Sequence, residues 1–539
     1  MSRGINSSKV KYIVISGGVL SGLGKGITAA SIGLLLKSKG IKVTAIKCDM
    51  YLNIDAGTMN PIEHGEVFVT DDGLETDQDL GHYERFLDTT LYKENYVTNG
   101  QIYKIVLDKE RALEYKGKCV EPYHHIPPEI ISRWENAGRK HSSDIVLVEL
   151  GGTVGEYEGL LFFEALRRLK LQKPKDVVLV HVGYLPLPKS IGELKSKPLQ
   201  QSIRELNSLG LSPNFVVCRS EVPVDEKRKE KISIASGVNM QNIIAAPDVE
   251  SIYEVPLVLE EQKMTDKLLK SLNLKSKSNT LKKWTLLNKR IKSTNKTVKI
   301  GIIGKYQKTG DFLLTDSYVC VVESLKHAGW QIGVKPEIVW IDSEDNNMKL
   351  KDLDGIIVPQ GWGKRGVEGK IKAIKYAREK NIPYLGLCFG MQMAVIEFAR
   401  NVLKYKNANT TEADEKTKYP VIHTMQSQLE NIKNKNYGGT IRLGAYPCSL
   451  KKGSLLNKIY KKDEISERHR HRYEFNNKYR QEFEKAGMVI SGMSPDNKLV
   501  EAIEIPKHKF FLGTQFHPEY KSTPLNPHPI FVAFLKSTL

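Results

Sequence analysis

No run of about 18 uncharged apolar residues occurs in the 539-residue chain, so a membrane-spanning helix is not expected. Cysteine is scarce. The six residues Cys48, Cys119, Cys218, Cys320, Cys388 and Cys448 show neither disulfide-scaffold nor zinc spacing, and a reducing compartment, by default the cytoplasm, is the expectation. The first residues, MSRGINSSKVKYIVISGG, contain no apolar core followed by a small-residue cleavage site, so no secretory signal is expected. No zinc finger, RNA-recognition signature, basic zipper or fixed-period repeat is found. The formal charge of +19 therefore reads as a lysine-rich surface, in stretches such as KSKSNTLKKW, rather than as a nucleic-acid footprint. Anionic nucleotides as ligands would use a small part of it.

What is present is 40% hydrophobic content, enough for two or three domains with their own cores. Residues 10–50 alternate strand (KYIVIS), glycine turn, helix (GITAASIGLLLKSKG) and strand (KVTAIKC), a βαβ unit that predicts a parallel sheet. SDIVLVELGG, DVVLVHVGYLP, PNFVVCRS and the start of IIAAPDVESIYEVP continue the series. From about Asn273 to Thr297 the composition turns to Lys, Ser, Asn and Thr, which predicts an interdomain linker with one short helix. A second α/β series follows in VKIGIIGKY, SYVCVVESLKHAGW, EIVWID, DGIIVPQGWG and IPYLGLCFG. The expected architecture is α/β with two domains. The first, 1–272, is a Rossmann-like P-loop parallel sheet with helices on both faces. A linker covers 273–297 and a second α/β domain 298–539.

In the second domain Cys388 stands between a strand and a helix, where backbone N–H groups and the helix dipole favour a thiolate. QFHPEY adds His517 and Glu519, two apart and on one face if extended. Nucleophile, base and orienter for acyl transfer are thus all available. VPQGWG offers exposed N–H groups at Gly361, and the amide of Phe389 follows the nucleophile, as an oxyanion hole requires.

In the first domain SGGVLSGLGKGITAAS sets Gly17, Gly18, Gly22, Gly24, Gly26 and Lys25 between strand and helix, the setting of a phosphate cradle. The strict P-loop spacing fails, and Gly26 takes the Ser/Thr position. SGGVLS is also one residue from the SGGVDS loop of ATP pyrophosphatases, with Leu20 for the aspartate. The Gly-Lys-Gly that follows favours the cradle. Glu149 ends an apolar strand, and GLETDQDLGHYERF supplies Asp77 and Asp79. Such carboxylates suit Mg²⁺. His64, His82, His124 and His125 lack zinc spacing and are expected to make ordinary hydrogen bonds.

The C-terminal motifs resemble the triad-type (class I) glutamine amidotransferase domain. With GGVLSGLGKG, HGEVFVTDDGLETDQDLGHYERF, VELGGTVGEYEG, KSKPLQQS, RGVEGK, RHRHRYE and QFHPE, residues 10–539 resemble the CTP synthase family. The resemblance implies a ligase of pyrimidine nucleotide biosynthesis. It uses ATP, with Mg²⁺, to phosphorylate UTP at O4 and aminates C4 with ammonia released from glutamine and channelled between domains. It further implies GTP activation, CTP feedback inhibition, a homotetramer with filaments possible in the family, and no nucleic-acid or membrane partner.

By position it assigns catalysis to Cys388, His517 and Glu519, and glutamine binding to Gly361, Phe389, Gly390, Met391, Gln392, Glu412 and Arg472. ATP falls to Gly22, Leu23, Gly24, Lys25, Gly26, Ile27, Asp79, Pro247, Asp248 and Val249, and the metal to Asp79 and Glu149. UTP and CTP fall to Ser21, Lys195, Ser196, Lys197, Pro198, Leu199, Gln200 and Lys231, with Glu156, Tyr157 and Glu158 sensing inhibitory CTP. Lys47 is a phosphoryl-transfer electrostatic group, and KRGVEGK (364–370) resembles a GTP-sensing lid. Gln360 replaces the usual first glycine of the oxyanion loop, which predicts altered loop packing rather than lost function.

Overall fold

A computed structural model describes residues 10–539 apart from 21, 307, 310, 311 and 314. Contacts divide the chain into two compact units. One joins the described part of Met1–Asp55 to His82–Asn288, and the other joins Ala56–Gly81 to Lys289–Leu539.

The first unit is built on seven strands: β1 Lys11–Gly17, β2 Val43–Asp49, β3 Tyr96–Thr98, β4 Ile145–Leu150, β5 Val177–Tyr184, β6 Phe215–Ser220 and β7 Ile243–Pro247. Their order is β3-β2-β4-β1-β5-β6-β7, and every pairing is parallel. Such strands read as unbroken apolar runs because both faces are covered. On one face Val146 and Val148 join a core with Trp134, Phe162 and Leu166. On the other, helix α1 (Lys25–Ser38) lies so close that a Cβ on Gly33 would stand 2.8 Å from Leu147 Cδ1. Helix α2 (Lys197–Ser208) packs likewise on β5, with Leu199 filling the space over Gly183. The central strand β1 carries the glycine loop at its C-terminal end, where parallel α/β sheets bind ligands.

The stretch expected as linker is largely part of this unit. Lys277 and Thr280 N–H groups donate to Lys39 and Ser38 carbonyls at 2.8 and 2.9 Å. Helix α3 (Lys282–Ser293) buries Trp284 and Leu287, one turn apart, with Trp284 against Phe86 and Tyr253. Its lysines face solvent, which is why composition alone hides its packing.

The second unit has a nine-stranded mixed sheet from β8 Lys296–Gly304, β9 Val334–Asp342, β10 Gly355–Val358, β11 Tyr384–Leu387, β12 Arg442–Leu450, β13 Glu464–His471, β14 Val489–Met493, β15 Val500–Glu504 and β16 Phe511–Thr514. The order is β9-β8-β10-β11-β16-β15-β14-β12-β13. Pairing is parallel from β9 to β16 and antiparallel beyond it. Helices α4 (Val319–Ile332), α5 (Val367–Lys380) and α6 (Phe389–Asn401) cover the parallel part. Residues 56–81 add to this unit through buried ion pairs such as Glu75 with Arg470, 2.7 Å. Among the described residues, no helix is long and apolar enough to cross a membrane.

Candidate active sites

Strand β11 ends at Leu387 and α6 begins at Phe389, so Cys388 alone makes the turn, at φ 51° and ψ −100°. A non-glycine residue there is strained, a feature that clusters at active sites. The tightness explains the flanking glycines. A Cβ on Gly390 would lie 2.0 Å from the Val358 carbonyl oxygen, and one on Gly386 2.8 Å from the Gly390 carbonyl carbon. The Cys388 N–H is fixed to the Thr514 carbonyl at 2.7 Å, and α6 has no side-chain cap, so its first amides stay open.

His517 and Glu519 meet as expected but not on a strand. β16 stops at Thr514, and His517 leads into a 3-10 turn over Pro518–Lys521. Pro518 has no N–H to continue a ladder, so the chain turns there. The turn still brings Glu519 Oε1 to 2.7 Å from His517 Nδ1, both side chains buried. Burial works against charging the imidazole, but Glu519 and then Cys388 outweigh it and raise its pKa to about 10. Nε2 has no nitrogen or oxygen partner among the described residues. The ring is thus biased toward its charged form beside the sulfur.

The residues expected to bind glutamine make the following contacts. Gly361 lies against Phe389, with 3.5 Å from its would-be Cβ to the ring. Glu412 Oε1 accepts the Gly363 N–H at 2.6 Å, and burial pushes its carboxyl pKa up. Gln392 donates to the Tyr473 carbonyl at 2.9 Å. Met391 is fully buried. Arg472 reaches Thr440 at 3.2 Å and faces a cavity of about 200 Å³ that Trp362, Tyr437, Arg470 and Glu75 also line. Gln360, which stands at the first position of the oxyanion loop, donates its amide to Glu66 at 2.5 Å, and Glu66 also accepts the Cys320 N–H at 2.6 Å.

Sequence reasoning did not single out three contributors, although one of them, Lys370, ends the lid-like KRGVEGK stretch. Gln515 donates to Cys388 Sγ at 3.5 Å. It stands two residues before His517, beyond the end of β16, so strand alternation does not single it out. Lys305 binds the carbonyls of Trp362, Gly363 and Arg365 and so ties down the lid-like segment; burial drops its pKa to about 8. Lys370 is wholly buried, 4.9 Å from the centre of the Phe389 ring. Neither lysine has a spacing signal.

In the first unit Gly22 and Gly24 take φ 72° and 84°, conformations that suit glycine, and Gly24 starts α1 without a side-chain cap. Leu23, Gly26 and Ile27 complete the turn into the helix, whose N-terminus, lacking a side-chain cap, suits an anion. Lys25 is buried and donates to the Gly152 carbonyl at 2.7 Å. Lys47, on β2, stands 3.4 Å from Glu149 Oε1 and 3.6 Å from Asp49. Glu149 is buried at the end of β4 and also accepts from the Tyr83 hydroxyl. Its carboxylate oxygens suit a hard cation. Asp79 opens the helix Asp79–Leu87 and falls in the stretch counted with the second unit.

Pro247, Asp248 and Val249 follow β7. Arg219, which the sequence reading passed over, anchors them by donating to the Ala246 carbonyl at 2.6 Å and to Asp248 at 2.8 Å. Lys195 pairs with Glu193, Ser196 begins α2, and Lys197, Pro198, Leu199 and Gln200 form its first turn. Lys231 is exposed on the helix Glu226–Ser236. Ser21 lies outside the described residues. Glu156 accepts the Thr153 N–H at 2.8 Å, while Tyr157 and Glu158 are exposed.

Of the histidines read as ordinary hydrogen-bonders, His82 contacts Arg85 at 3.2 Å and His125 the Glu121 carbonyl at 3.0 Å, while His64 faces the Asp77 carboxylate at 3.5 Å. A different buried cluster, His469, His471 and Glu501, brings three ligating atoms within 4.8 Å of one another. Arg442 stands 2.7 Å from Glu501 and supplies the positive charge there.

Comparison with known proteins completes the picture. The family model of the CTP synthase N-terminus matches residues 11–274, and that of class-I glutamine amidotransferases matches 313–537. The CTP synthase of Caldanaerobacter subterraneus subsp. tengcongensis is 50% identical, covering 98% of each chain. That of Sulfolobus acidocaldarius is 50% identical over 97% of this chain and 99% of its own. Among solved structures, the acivicin-bound glutaminase domain of Trypanosoma brucei CTPS is 37% identical over 45% of this chain and 93% of that one, with TM-score 0.41. Two family models end to end, and relatives matched over nearly their whole length, make this chain a member of the CTP synthase family of glutamine-hydrolysing ligases.

Proposed function

We propose that the chain converts UTP to CTP, with ATP as phosphoryl donor and glutamine as nitrogen donor. One observation carries the reading: two strand-to-helix junctions in one chain, one armed with Cys388, His517 and Glu519, the other with open glycine-loop amides and Lys25.

In the second unit, Arg472 takes the glutamine carboxylate and Glu412 its ammonium, by charge. Cys388 Sγ attacks the carboxamide carbon, and the amides of Phe389 and Gly361 receive the developing oxyanion. His517 gives its proton to the departing nitrogen, releasing ammonia and leaving a thioester. It then takes a proton from water, which attacks the thioester and frees glutamate and the thiol. Glu519 keeps the ring oriented throughout.

In the first unit, the amides of residues 22–27 and Lys25 hold the ATP phosphates, while Pro247 to Val249 hold the base. Ser21, Lys195 to Gln200 and Lys231 hold UTP. Glu149, together with Asp79 from the 56–81 stretch, would hold Mg²⁺ through carboxylate oxygens, and the ion would supply neutralisation of phosphate charge. UTP O4 attacks the γ-phosphorus, ADP leaves, ammonia adds at C4 and phosphate departs. Lys47 stabilises the charge in transit. Ammonia passes inside the protein, which keeps it unprotonated. GTP acts through 364–370, CTP inhibits through Glu156, Tyr157 and Glu158, and the working form is a cytoplasmic homotetramer able to form filaments.

The test is product analysis with UTP, ATP, Mg²⁺ and glutamine. CTP, ADP, phosphate and glutamate in equal amounts are expected. AMP and pyrophosphate would instead favour an adenylating ligase, the reading suggested by SGGVLS, and would overturn this one.

A further inference from the structure

Beneath the glycine loop lies a buried three-residue chain that no step above uses. Ser16 and His181 are paired residues of adjacent strands β1 and β5. The Ser16 hydroxyl lies 3.0 Å from His181 Nδ1, and the Ser202 hydroxyl lies 2.7 Å from His181 Nε2. Ser16 and His181 are 0% exposed and Ser202 3%. Each end belongs to a different ligand segment. Ser16 immediately precedes Gly17 and Gly18, where the loop begins, and the Gly18 N–H is pinned to the Val182 carbonyl at 3.1 Å. Ser202 sits in α2, whose first turn is the stretch expected to hold UTP.

Contact at the loop is direct as well as relayed. A Cβ on Gly18 would lie 1.5 Å from Ser202 Oγ and 3.2 Å from His181 Nε2. Any shift of α2 toward the sheet must therefore move the loop or break the chain of hydrogen bonds. Burial, and then the charge of Lys25, depress the imidazole pKa to about 3, so the ring is neutral. A neutral ring donates from one nitrogen and accepts at the other, so the polarity of the bond to Ser16 fixes that to Ser202.

We infer that His181, with Ser16 and Ser202, is a positioning element that couples the ATP loop to the UTP-bearing helix, so that each nucleotide settles the subsite of the other. This rests on the assignment of those two segments to ATP and UTP. His181 touches neither nucleotide in this scheme and acts through its two serines.

The experiment measures half-saturating UTP at a series of ATP concentrations, with ammonia as nitrogen source so that the second unit is not engaged. Equilibrium binding of each nucleotide alone and thermal unfolding are measured in parallel. In the wild type, saturating ATP is expected to lower half-saturating UTP by about fivefold or more, the lower end of ordinary site-to-site coupling. Ser202→Ala should reduce that factor below about twofold, with affinity for each nucleotide alone and the unfolding temperature unchanged. Ser16→Thr, which keeps a hydroxyl, should retain the coupling. Coupling that survives Ser202→Ala, or is absent from a wild type that makes CTP, would overturn the inference. A wild type that makes no CTP at all would instead overturn the assignment on which it rests.

Discussion

The two strand-to-helix junctions solve the same geometric problem and differ in what they leave exposed. Each puts a non-glycine residue at positive φ, Val19 at 83° and Cys388 at 51°, and each starts a helix with no side-chain cap. Strain of this kind costs about 1–3 kcal/mol per residue and survives only where surrounding structure enforces it. At Cys388 the enforcement is enclosure: the thiol is buried, with Gln515 and His517 around it. At the phosphate loop the backbone is open. A Cβ on Gly22 would meet nothing within 4 Å, and Leu20 is 48% exposed. One site carries its reagents as side chains. The other, in the proposed function, offers a shaped, positively biased surface to reagents that arrive as ligands. Changes at the first should therefore stop one half-reaction, and changes at the second should stop the whole.

The sharpest contrast comes from Glu519→Gln. It leaves His517 without its carboxylate and should lower glutamine-dependent turnover on the order of 10,000-fold, as loss of an orienting acid does elsewhere. Turnover with ammonia should be unchanged. Lys25→Met should lower CTP formation roughly 100- to 1,000-fold with either nitrogen source, because one preorganised charge at the phosphates is lost. Equal loss with both sources in Glu519→Gln, or loss with only one in Lys25→Met, would blur the comparison. Trp284→Ala should destabilise the first unit by about 3–5 kcal/mol, measured by denaturant unfolding, since it removes a buried indole from the Phe86–Tyr253 stack. A change within error would mean that α3 is linker after all.

The smallest effect expected is on pH. His469 and His471 are held well below the ordinary histidine range, by burial first and then by Arg442. Unfolded, they bind protons below about pH 6.5, which the folded state does not, so the second unit should lose stability as pH falls through that value. His517 has the opposite sign: its stabilising contribution is present at neutral pH and lost as pH rises through about 10. Unfolding curves at pH 7 and 5.5 check the first effect, and His471→Gln should flatten it.

Much of this was legible in the sequence because it is local. Doubly covered parallel strands appear as apolar runs, so the alternation of the first unit reads directly. The thiol junction and QFHPE are short motifs whose spacing carries their chemistry, even though His517 and Glu519 meet through a proline turn rather than along a strand. What stayed hidden depends on distant pairing. Glu66 and Cys320 are 254 residues apart and Glu75 and Arg470 395 apart, so nothing in the run 56–81 announced the unit it joins. Lys305, Lys370 and Arg219 likewise matter through the loops they meet, which periodicity does not encode. The helix around Trp284 was masked by its own solvated lysines.

The division of labour is tested most directly by Cys388→Ala assayed with UTP, ATP and Mg²⁺, first with glutamine and then with ammonia. The expected result is no CTP from glutamine and wild-type rates from ammonia. A folded variant that fails equally with both would contradict it.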